Sequence, residues 1–358
     1  GPLLRVVYYD LGAGRGARLL LAAHHLVVDA VSWRILIEDL RAAYEQIARG
    51  GEGHLLEKTT SYRRWAREMA AYARSDALAA QADLWLAMGQ GAQTPLPVDF
   101  PGGLDDNREA TTRSLTRDFT REKTEALLEA VPEVYNTQLQ DVLLAALLWA
   151  VSRWTGELAL WVDLEGHGRV PLWDHLDVSR TVGWFTCTYP VLLAADAGKP
   201  EALLIAVKEQ MRGIPEGGIG YGLLRYSRED DIGAQVRAMS APQIGFNYLG
   251  RIARGEGEWA LVPDADVGPV RAPEARRPHL LEVEGRVRDG RLHITWHYSD
   301  RVHREETVAS LIEWYAEALS CFIAHCQESQ EVKYTPSDFP EAELTQHELD
   351  GVLEELFD

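Results

Sequence analysis

Two adjacent histidines, His24 and His25, are the first residues of this chain whose type and setting could support chemistry. They are followed in the segment HHLVVDAVSW by Asp29, Ser32 and Trp33. Because histidine titrates near neutral pH, it can donate or accept a proton under physiological conditions. A histidine pair can also bind a metal ion, but no nearby cysteine or acidic cluster supplies the further ligands. On this segment alone, a packing or surface role for the histidine pair is slightly favoured over proton transfer. No metal site is predicted.

The elements around this segment place the histidines at the end of a strand. The run from Leu19 to Ala23 is continuously apolar, as expected of a strand that is covered on both faces. From Trp33 onward, apolar residues recur at three- and four-residue steps, which predicts a helix up to residue 49 that ends at Gly50. Asp29 fits the N-cap of that helix. A strand end of this kind can present side chains in a cleft.

Four further segments accompany HHxxxDxxSW in a fixed order along the chain. They are DLEGHGR at 163–169, RTVGWFT at 180–186, PEGGIGYG at 215–222 and FNYLG at 246–250. With these motifs the chain resembles the epimerization domains of nonribosomal peptide synthetases, which are members of the condensation-domain superfamily. The tail YTPSDFP at 334–340 also resembles the exit segment of such domains. Any one motif could be chance, but five in order are a strong signal.

The chain departs from the family pattern at two places. Ala30 stands where the family usually has glycine after the motif aspartate. Only 23 residues precede the histidine pair, whereas family domains carry a substantial N-terminal stretch there. We therefore expect the N-terminal part of the first lobe to be missing, which would leave a sheet edge unpaired and lower the stability.

The order of predicted elements gives the fold class. Strands alternate with crossover helices, which predicts an α/β fold. The resemblance implies two chloramphenicol-acetyltransferase-like lobes in a V-shaped pseudo-dimer. We expect the remainder of the N-terminal lobe at 1–93, a Pro- and Gly-rich linker at 94–107, the C-terminal lobe at 108–333 and an exit segment at 334–358.

Periodicity and turn residues predict the individual elements. Strands are expected at 4–10, 17–23, 109–118, 157–164, 183–193, 280–287 and 292–298. Helices are expected at 32–49, 121–130, 137–155, 199–213 and 305–326, with one or two more within 59–89 and a short acidic one from 344. Asp289-Gly290 between the last two strands is a strong hairpin signal.

The resemblance implies an isomerase of peptide-antibiotic biosynthesis that inverts an α-carbon from L to D. The substrate would be an aminoacyl or peptidyl thioester on the phosphopantetheine arm of a carrier protein upstream in the same synthetase. Such a site needs a base, a proton donor on the opposite face and a partner for the enolate oxygen. We assign Glu165 as the leading acid/base residue, since burial can raise a glutamate pKa toward neutrality. His25 is assigned as enolate stabiliser or second proton-transfer group, and the order of the two transfers stays open.

Further residues from the motifs are expected to line or support this site. Asn247, Tyr248 and Trp184 would line the substrate pocket, although Trp184 also fits a core pattern that includes Trp149, Trp161 and Trp296. The supporting residues are His24, Asp29, Ser32, Trp33, His167, Arg169 and Arg180. Asp29 is expected to pair with an arginine, for which Arg180 is the candidate. His167 either orients Glu165 or is an ordinary loop histidine, and the two interpretations are even.

Three other functions fit parts of the pattern. A condensation domain proper, which joins two carrier-bound substrates, shares the HHxxxD motif. A non-catalytic recruitment module of the same fold would not need His25, Asp29, Glu165 and Asn247 together. An acyltransferase that uses free thioesters would share the histidine motif alone. The EGHGR segment at 165–169 favours epimerization.

Composition limits the partners. The chain has 358 residues with 55 acidic and 36 basic side chains, a net charge of −19 that disfavours nucleic acid and anionic membranes. No secretory signal and no run near the ~20 apolar residues of a membrane span is evident. Cys187, Cys321 and Cys326 lack metal-ligand spacing and are expected to be reduced thiols of a cytoplasmic protein. We expect no cofactor or metal held by the domain itself.

Overall fold

The chain divides into two compact units, and each unit is assembled from separate chain segments. The computed structural model describes residues 1–91, 95–196, 198–252, 259–260, 262, 268, 270–329, 332–342 and 344–357. Unit 1 consists of Gly1–Ala82, Gly166–Thr188 and Glu216–Arg237. Unit 2 consists of Asp83–Glu165, Tyr189–Pro215 and Ala238–Asp358.

These units are interleaved in sequence, unlike the contiguous lobes expected from the sequence. The segments 166–188 and 216–237, which carry several motifs, fold with the first 82 residues. The division into lobes at 1–93 and 108–333 stays a prediction of domain organisation, because compact units and domains are defined differently. Thr94 of the predicted linker, and Glu343 and Asp358 of the predicted exit segment, lie outside the described residues.

The strands and helices of the described residues are numbered here in chain order. The strands are β1 (Leu4–Asp10), β2 (Ala17–Ala23), β3 (Thr112–Asp118), β4 (Ala159–Gly166), β5 (Cys187–Ala194), β6 (Ile244–Ile252), β7 (Leu281–Arg288) and β8 (Arg291–Ser299). The helices are α1 (Ala30–Ala48), α2 (Tyr62–Tyr72), α3 (Asp76–Ala79), α4 (Ala82–Gly91), α5 (Arg121–Leu128), α6 (Ala130–Tyr135), α7 (Leu139–Thr155), α8 (Pro200–Arg212), α9 (Ile219–Ser227), α10 (Asp231–Ala238), α11 (Glu305–Glu328) and α12 (Gln346–Phe357).

In unit 1, β1 and β2 form an antiparallel pair at the predicted positions. The expectation that the second strand is covered on both faces is wrong, since Leu19 is 42% and Leu20 36% exposed. Among the described residues this sheet has only these two strands, so no layer packs over the apolar run. Helix α1 follows and ends shortly before Gly50, which has a φ of +84°, as predicted.

In unit 2, six strands form one mixed sheet in the order β3-β8-β7-β6-β4-β5. The pairs β4/β6 and β6/β7 are parallel, and β3/β8 and β7/β8 are antiparallel. Along β7 and β8 buried and half-buried residues alternate, so one sheet face is apolar and the other is polar. Helix α7 is buried along most of its length and packs against α11. The α/β class predicted from the sequence is confirmed.

The hairpin between β7 and β8 forms where the Asp-Gly signal predicted it. Asp289 has φ +53° and Gly290 has φ +74°. Two successive residues with positive φ match a two-residue turn whose twist suits the flanking strands. The last paired residues before the turn are Arg288 and Arg291.

Helix α11 is long and apolar enough, by length and composition only, to cross a membrane. An 18-residue window within Glu305–Glu328 has a mean hydropathy of 1.2, so the sequence expectation that no segment approaches a span was wrong on composition. Half of that window is buried inside the protein. Leu311 and Phe322 are fully buried, and the helix packs on α7. These contacts account for its apolar residues as those of a core helix.

Several element boundaries differ from the sequence prediction for local reasons. Strand β3 begins at Thr112 because 109–111 form a 3₁₀ turn, and β5 begins only at Cys187. The region 59–89 holds three helices, and the helix predicted at 121–130 ends at Leu128. Helices α6, α9 and α10 and strand β6 were not predicted. The sequence did not indicate α9, because it has glycine at 218, 220 and 222 and glycine has a low helix propensity.

Candidate functional site

The histidine pair lies in a short 3₁₀ turn between β2 and α1, in unit 1. The ring Nδ1 of His24 accepts a hydrogen bond from the Leu26 backbone N–H at 3.1 Å, which caps the turn that begins at His25. Both histidines are exposed. The His25 and Trp184 rings pack in a T-shaped arrangement at a centroid distance of 5.2 Å. The turn thus fixes the backbone of His25 at the strand end predicted from the sequence.

Asp29 is buried at the start of α1 and has three sets of partners within unit 1. Its carboxylate accepts from the Ser32 backbone N–H at 2.6 Å, which confirms the predicted N-cap. It also accepts from the Phe185 backbone N–H at 3.2 Å. Arg169 Nη2 donates to both carboxylate oxygens at 3.0 and 3.2 Å. With 2% exposure, Asp29 depends on these donors, because a buried carboxylate without partners is costly.

The arginine that pairs with Asp29 is Arg169, so the expected pairing with Arg180 is wrong. Arg180 instead donates to Glu38 at 3.2 Å and forms an ion pair with Asp39, both on α1. Spacing in the sequence could not separate the two arginines, since both lie in the segment 166–188 that folds with unit 1. The loop that follows β4 turns Arg169 inward and leaves Arg180 on the outer face of α1.

Arg169 and Ser32 join three of the sequence motifs into one cluster, the Arg169 cluster. Arg169 Nη1 donates to the carbonyls of Val178 and Thr181 at 2.8 and 2.7 Å. Its guanidinium lies 4.1 Å from the centre of the Phe185 ring. Ser32 Oγ donates to the Gly183 carbonyl at 2.9 Å and accepts from the Gly183 N–H at 3.0 Å. The cluster therefore supports the backbone next to both His25 and Trp184.

Other supporting residues of unit 1 have simpler surroundings. Trp33 is half-buried on α1, and His167 is exposed with its Nδ1 accepting from the Arg169 backbone N–H at 3.0 Å. That His167 orients Glu165 stays a prediction. Trp184 is 41% exposed, so the core interpretation of this tryptophan was wrong, and its role in a pocket stays a prediction. Trp296 is fully buried, as expected for the core.

In unit 2, Glu165 lies near the carboxyl end of β4, and Asn247 lies at the same level within the neighbouring parallel strand β6. The β4/β6 pairing brings Asp163 beside Gly245 and Leu164 beside Phe246. Glu165 and Asn247 are the next residues along the two strands. Since alternate residues of a strand share a face, both lie on the polar face of the sheet. Asn247 is in turn paired with Glu284 on β7.

The neighbours of Glu165 differ from those assumed in the sequence analysis. Glu165 is exposed, whereas the sequence analysis expected a buried glutamate. Arg271 lies within electrostatic range of Glu165 and Glu282 and donates to Glu109 at 2.8 Å. Tyr248, the other predicted pocket residue of β6, is half-buried, and burial raises its pKa.

Sequence reasoning missed a second charged group on this face, formed by His279, Asp163 and Glu282, here named the imidazole bridge. His279 Nε2 lies 2.9 Å from Asp163 Oδ2, and its Nδ1 lies 3.7 Å from Glu282 Oε1. Burial alone would lower the pKa of His279, but the hydrogen bonds with Asp163 and Glu282 raise it to about 9. Asp163 stands next to the EGHGR motif, but nothing in the spacing of His279 indicated its partners.

Metal ligation finds no support in the part of the chain that the structure describes. No group of three or more histidine, cysteine, aspartate or glutamate side chains is placed there to hold a metal ion.

Comparison with known proteins agrees with this fold. A family model described as condensation domain matches residues 1–345. A linear gramicidin synthase of Brevibacillus parabrevis is 44% identical over 358 residues, which cover 99% of this chain and 5% of that protein. Tyrocidine synthase 2 of the same organism is 38% identical over 359 residues, 99% of this chain and 10% of that protein. The chain thus spans a small part of the curated relatives it matches.

A solved structure gives the same picture at the level of the fold. The epimerization domain from the third module of tyrocidine synthetase B is 37% identical with a TM-score of 0.84, and the match covers 92% of this chain and 74% of that one. The protein is thus a mixed α/β protein in which candidate acid/base groups lie at the ends of strands. The chain belongs to the condensation-domain family of nonribosomal peptide synthetases.

Proposed function

We propose that this chain is an epimerization domain that inverts the α-carbon of an aminoacyl or peptidyl thioester from L to D. The observation that carries the proposal is the β4/β6 pairing, from which Glu165 and Asn247 follow at the same level of two neighbouring parallel strands. It is supported by 37% identity to a solved epimerization domain over most of the chain. A carboxylate next to an amide offers a proton acceptor and a hydrogen-bond donor on one sheet face.

The reaction needs two proton transfers and no net redox change. Glu165 removes the α-proton, and the electron pair of the broken C–H bond passes into the thioester as an enolate. The Asn247 side-chain amide donates a hydrogen bond to the enolate oxygen. Return of a proton to the opposite face of the α-carbon completes the inversion. We assign that second transfer to His25, because an imidazole side chain can both accept and donate a proton.

The substrate would reach the domain on a carrier protein. A thioester on a phosphopantetheine arm makes the α-proton more acidic than an amide would, and the arm is long enough to enter a site. We propose that the carrier lies upstream in the same synthetase in the cytoplasm, and that the domain itself holds no cofactor. We infer this dependence on a partner from the relatives, which are large synthases. A chain of this length is a small part of each of them.

Peptide-bond formation is the second candidate function. It is favoured by the description of the matching family model, which is condensation domain. The histidine motif fits both reactions, since a histidine can assist attack by an amine. Glu165 distinguishes them, because amide formation requires no removal of an α-proton. The X-domain from teicoplanin biosynthesis also shares the fold at 17% identity, a level that speaks for the fold alone.

The test is hydrogen exchange at the α-carbon in deuterated water. The 358-residue chain is incubated with carrier proteins that are each charged with a different L-amino acid on phosphopantetheine. After thioester cleavage, chirality and α-deuterium are measured together. We expect deuterated D-product from the wild type, a loss of at least about 100-fold in Glu165→Gln, and a marked loss in His25→Ala.

The matched control is Glu157→Gln, an exposed glutamate just before the opposite end of β4. It should leave the exchange rate unchanged. Exchange that persists in Glu165→Gln would contradict the assigned role of Glu165. If the folded wild type forms peptide bonds between two charged carriers and incorporates no deuterium, condensation replaces epimerization as the function.

A further inference from the structure

The peptide group that joins Trp184 to Phe185 is held at both of its ends within unit 1. The Tyr62 hydroxyl, in the first turn of α2, donates to the Trp184 carbonyl at 2.8 Å. The Phe185 N–H donates to the buried Asp29 carboxylate at 3.2 Å. Because a peptide group is planar, two hydrogen bonds on opposite sides of it fix its orientation. Tyr62 and Asp29 therefore set the direction in which the chain leaves Trp184.

The backbone on the other side of Trp184 is held as well. Ser32 Oγ on α1 donates to the Gly183 carbonyl and accepts from the Gly183 N–H. The Tyr62 ring lies against the same glycine, where a Cβ atom at residue 183 would be 2.1 Å from Tyr62 Cδ2. The chain thus enters and leaves Trp184 through fixed peptide groups. Since these groups set the direction of the Cα–Cβ bond, the direction in which the indole starts is fixed too.

Tyr62 is itself held in an aromatic cluster. Its ring packs at a centroid distance of 5.2 Å on both Trp65 and Phe185, and those two rings are 4.6 Å apart. Burial of the ring, and to a smaller degree the Asp29 carboxylate, raises the pKa of Tyr62. The hydroxyl therefore stays protonated at neutral pH and remains a donor to the Trp184 carbonyl.

The Trp184 indole is the contact between this framework and His25. The two rings pack in a T-shaped arrangement at a centroid distance of 5.2 Å. His25 is exposed, and an exposed histidine can adopt several rotamers. Packing against the indole restricts the imidazole to fewer of them. Because proton transfer depends on the orientation of the donor group, this restriction favours transfer from His25.

We propose that Tyr62 is a positioning residue, which holds the Trp184 indole against the His25 imidazole by donating to the Trp184 carbonyl. This inference rests on the proposed function for its kinetic consequence only. It also gives each residue of the GWF segment at 183–185 a separate task. Gly183 leaves room for the Tyr62 ring, Trp184 contacts His25, and Phe185 packs in the aromatic cluster.

The first test is Tyr62→Phe in the full 358-residue chain, which removes the hydroxyl and keeps the ring. With the charged carrier proteins as probe, kcat for α-proton exchange should fall about 5-fold with little change in KM, as expected for the loss of one neutral hydrogen bond. In the His25→Ala background the same change should lower the residual kcat no further, because Tyr62 acts through His25.

Proton NMR of the His25 ring gives a second readout that needs no substrate. In a histidine-labelled chain, His25→Ala assigns the His25 signals, and the nearby indole shifts them by its ring current. Trp184→Leu gives the positions of these signals without the indole. We expect Tyr62→Phe to move the His25 signals from their wild-type positions toward those in Trp184→Leu.

Tyr72→Phe is the matched control on the same helix. The Tyr72 hydroxyl donates to the Glu216 carboxylate oxygens at 2.8 and 2.9 Å, so this change also removes a hydrogen bond of a tyrosine hydroxyl. It should leave kcat and the His25 signals unchanged. An equal fall of kcat in Tyr62→Phe and Tyr72→Phe would indicate general destabilisation and overturn the inference.

The outcomes separate this inference from the proposed function. If the wild type exchanges the α-proton and Tyr62→Phe keeps the wild-type kcat, the inference is overturned and epimerization stands. A further fall of kcat in the His25→Ala background overturns the inference as well. If the wild type shows no exchange, epimerization fails, and the His25 signals alone decide the inference. Signals that do not move in Tyr62→Phe overturn it in either case.

Discussion

Buried charges in unit 1 depend on partners that are distant in the chain. Asp29 and Arg169 are 140 residues apart and share two hydrogen bonds. The motif positions of both residues were found from the sequence, because the family signature contains them. Their pairing was not, since it depends on the path of the loop that follows β4. The same holds for His279, whose partners come from two other strands.

Removing Arg169 should therefore destabilise the protein strongly. Arg169→Ala leaves Asp29 as a buried charge with 2% exposure and without its cation. We expect the free energy of unfolding to fall by about 3–5 kcal/mol, measured by urea denaturation. The control is Arg180→Ala, whose side chain is 27% exposed and pairs on the surface of α1, and which should cost no more than about 1 kcal/mol. Equal losses in the two variants would contradict the assigned pairing.

The imidazole bridge should make stability depend on pH in one direction. The pKa of His279 is raised to about 9, so the folded state binds its proton more tightly than the unfolded chain does. The stabilisation is then fully present below the unfolded pKa of about 6.5 and is lost as the pH rises through 9, on the order of 3 kcal/mol in all. Urea unfolding of the wild type and of His279→Gln should diverge at about pH 6 and converge near pH 10. Parallel curves across that range would refute the raised pKa.

At the scale of elements, periodicity found most strands and helices of unit 2. Alternation and apolar runs are strong there because one face of the sheet is buried and α11 packs on β3 and β8. In unit 1 the prediction failed at α9 and α10, where glycine breaks the helical pattern. These helices form because tertiary packing outweighs low intrinsic propensity. In α10 the glycine is required because a side chain would clash there, whereas in α9 a glycine stands where a side chain would fit.

Two helical glycines should therefore respond oppositely to alanine. At Gly222 in α9 a Cβ atom would meet nothing within 4 Å, so Gly222→Ala should stabilise the protein by up to about 1 kcal/mol. At Gly233 in α10 a Cβ atom would lie 2.4 Å from the Arg228 carbonyl oxygen, and Gly233→Ala should destabilise it. The melting temperature of each variant measures the sign. A gain in both variants would show that the α10 backbone relaxes freely.

At the scale of the whole chain, the sequence could not reveal the interleaved units, because no composition shift marks residues 166–188 or 216–237. The segment predicted as the exit segment, 334–358, is anchored in unit 2 by buried charges. Lys208 on α8 is fully buried and lies 2.6 Å from Asp338, whose side chain is 1% exposed. Arg212 also pairs with Asp338. The residues that follow α11 are thus fixed to α8 by a buried ion pair.

Loss of that anchor should release the exit segment. Asp338→Ala leaves the Lys208 ammonium buried without its carboxylate, and we expect about 3–5 kcal/mol of destabilisation. Limited proteolysis should cut the variant between 332 and 342 at protease levels that spare the wild type. Asp350→Ala, an exposed aspartate on α12, serves as the control and should leave cleavage unchanged. Resistance of the Asp338 variant to protease would argue against the anchor.

The interleaving has a consequence for anyone who recombines synthetase genes. The chain passes from one unit to the other five times between residues 82 and 238. A crossover placed in the Pro- and Gly-rich stretch near residue 100 looks natural in an alignment, yet it would take Asp29 from one parent and Arg169 from another. Hybrids joined outside this region, before β1 or after the exit segment, keep each buried pair within one parental sequence.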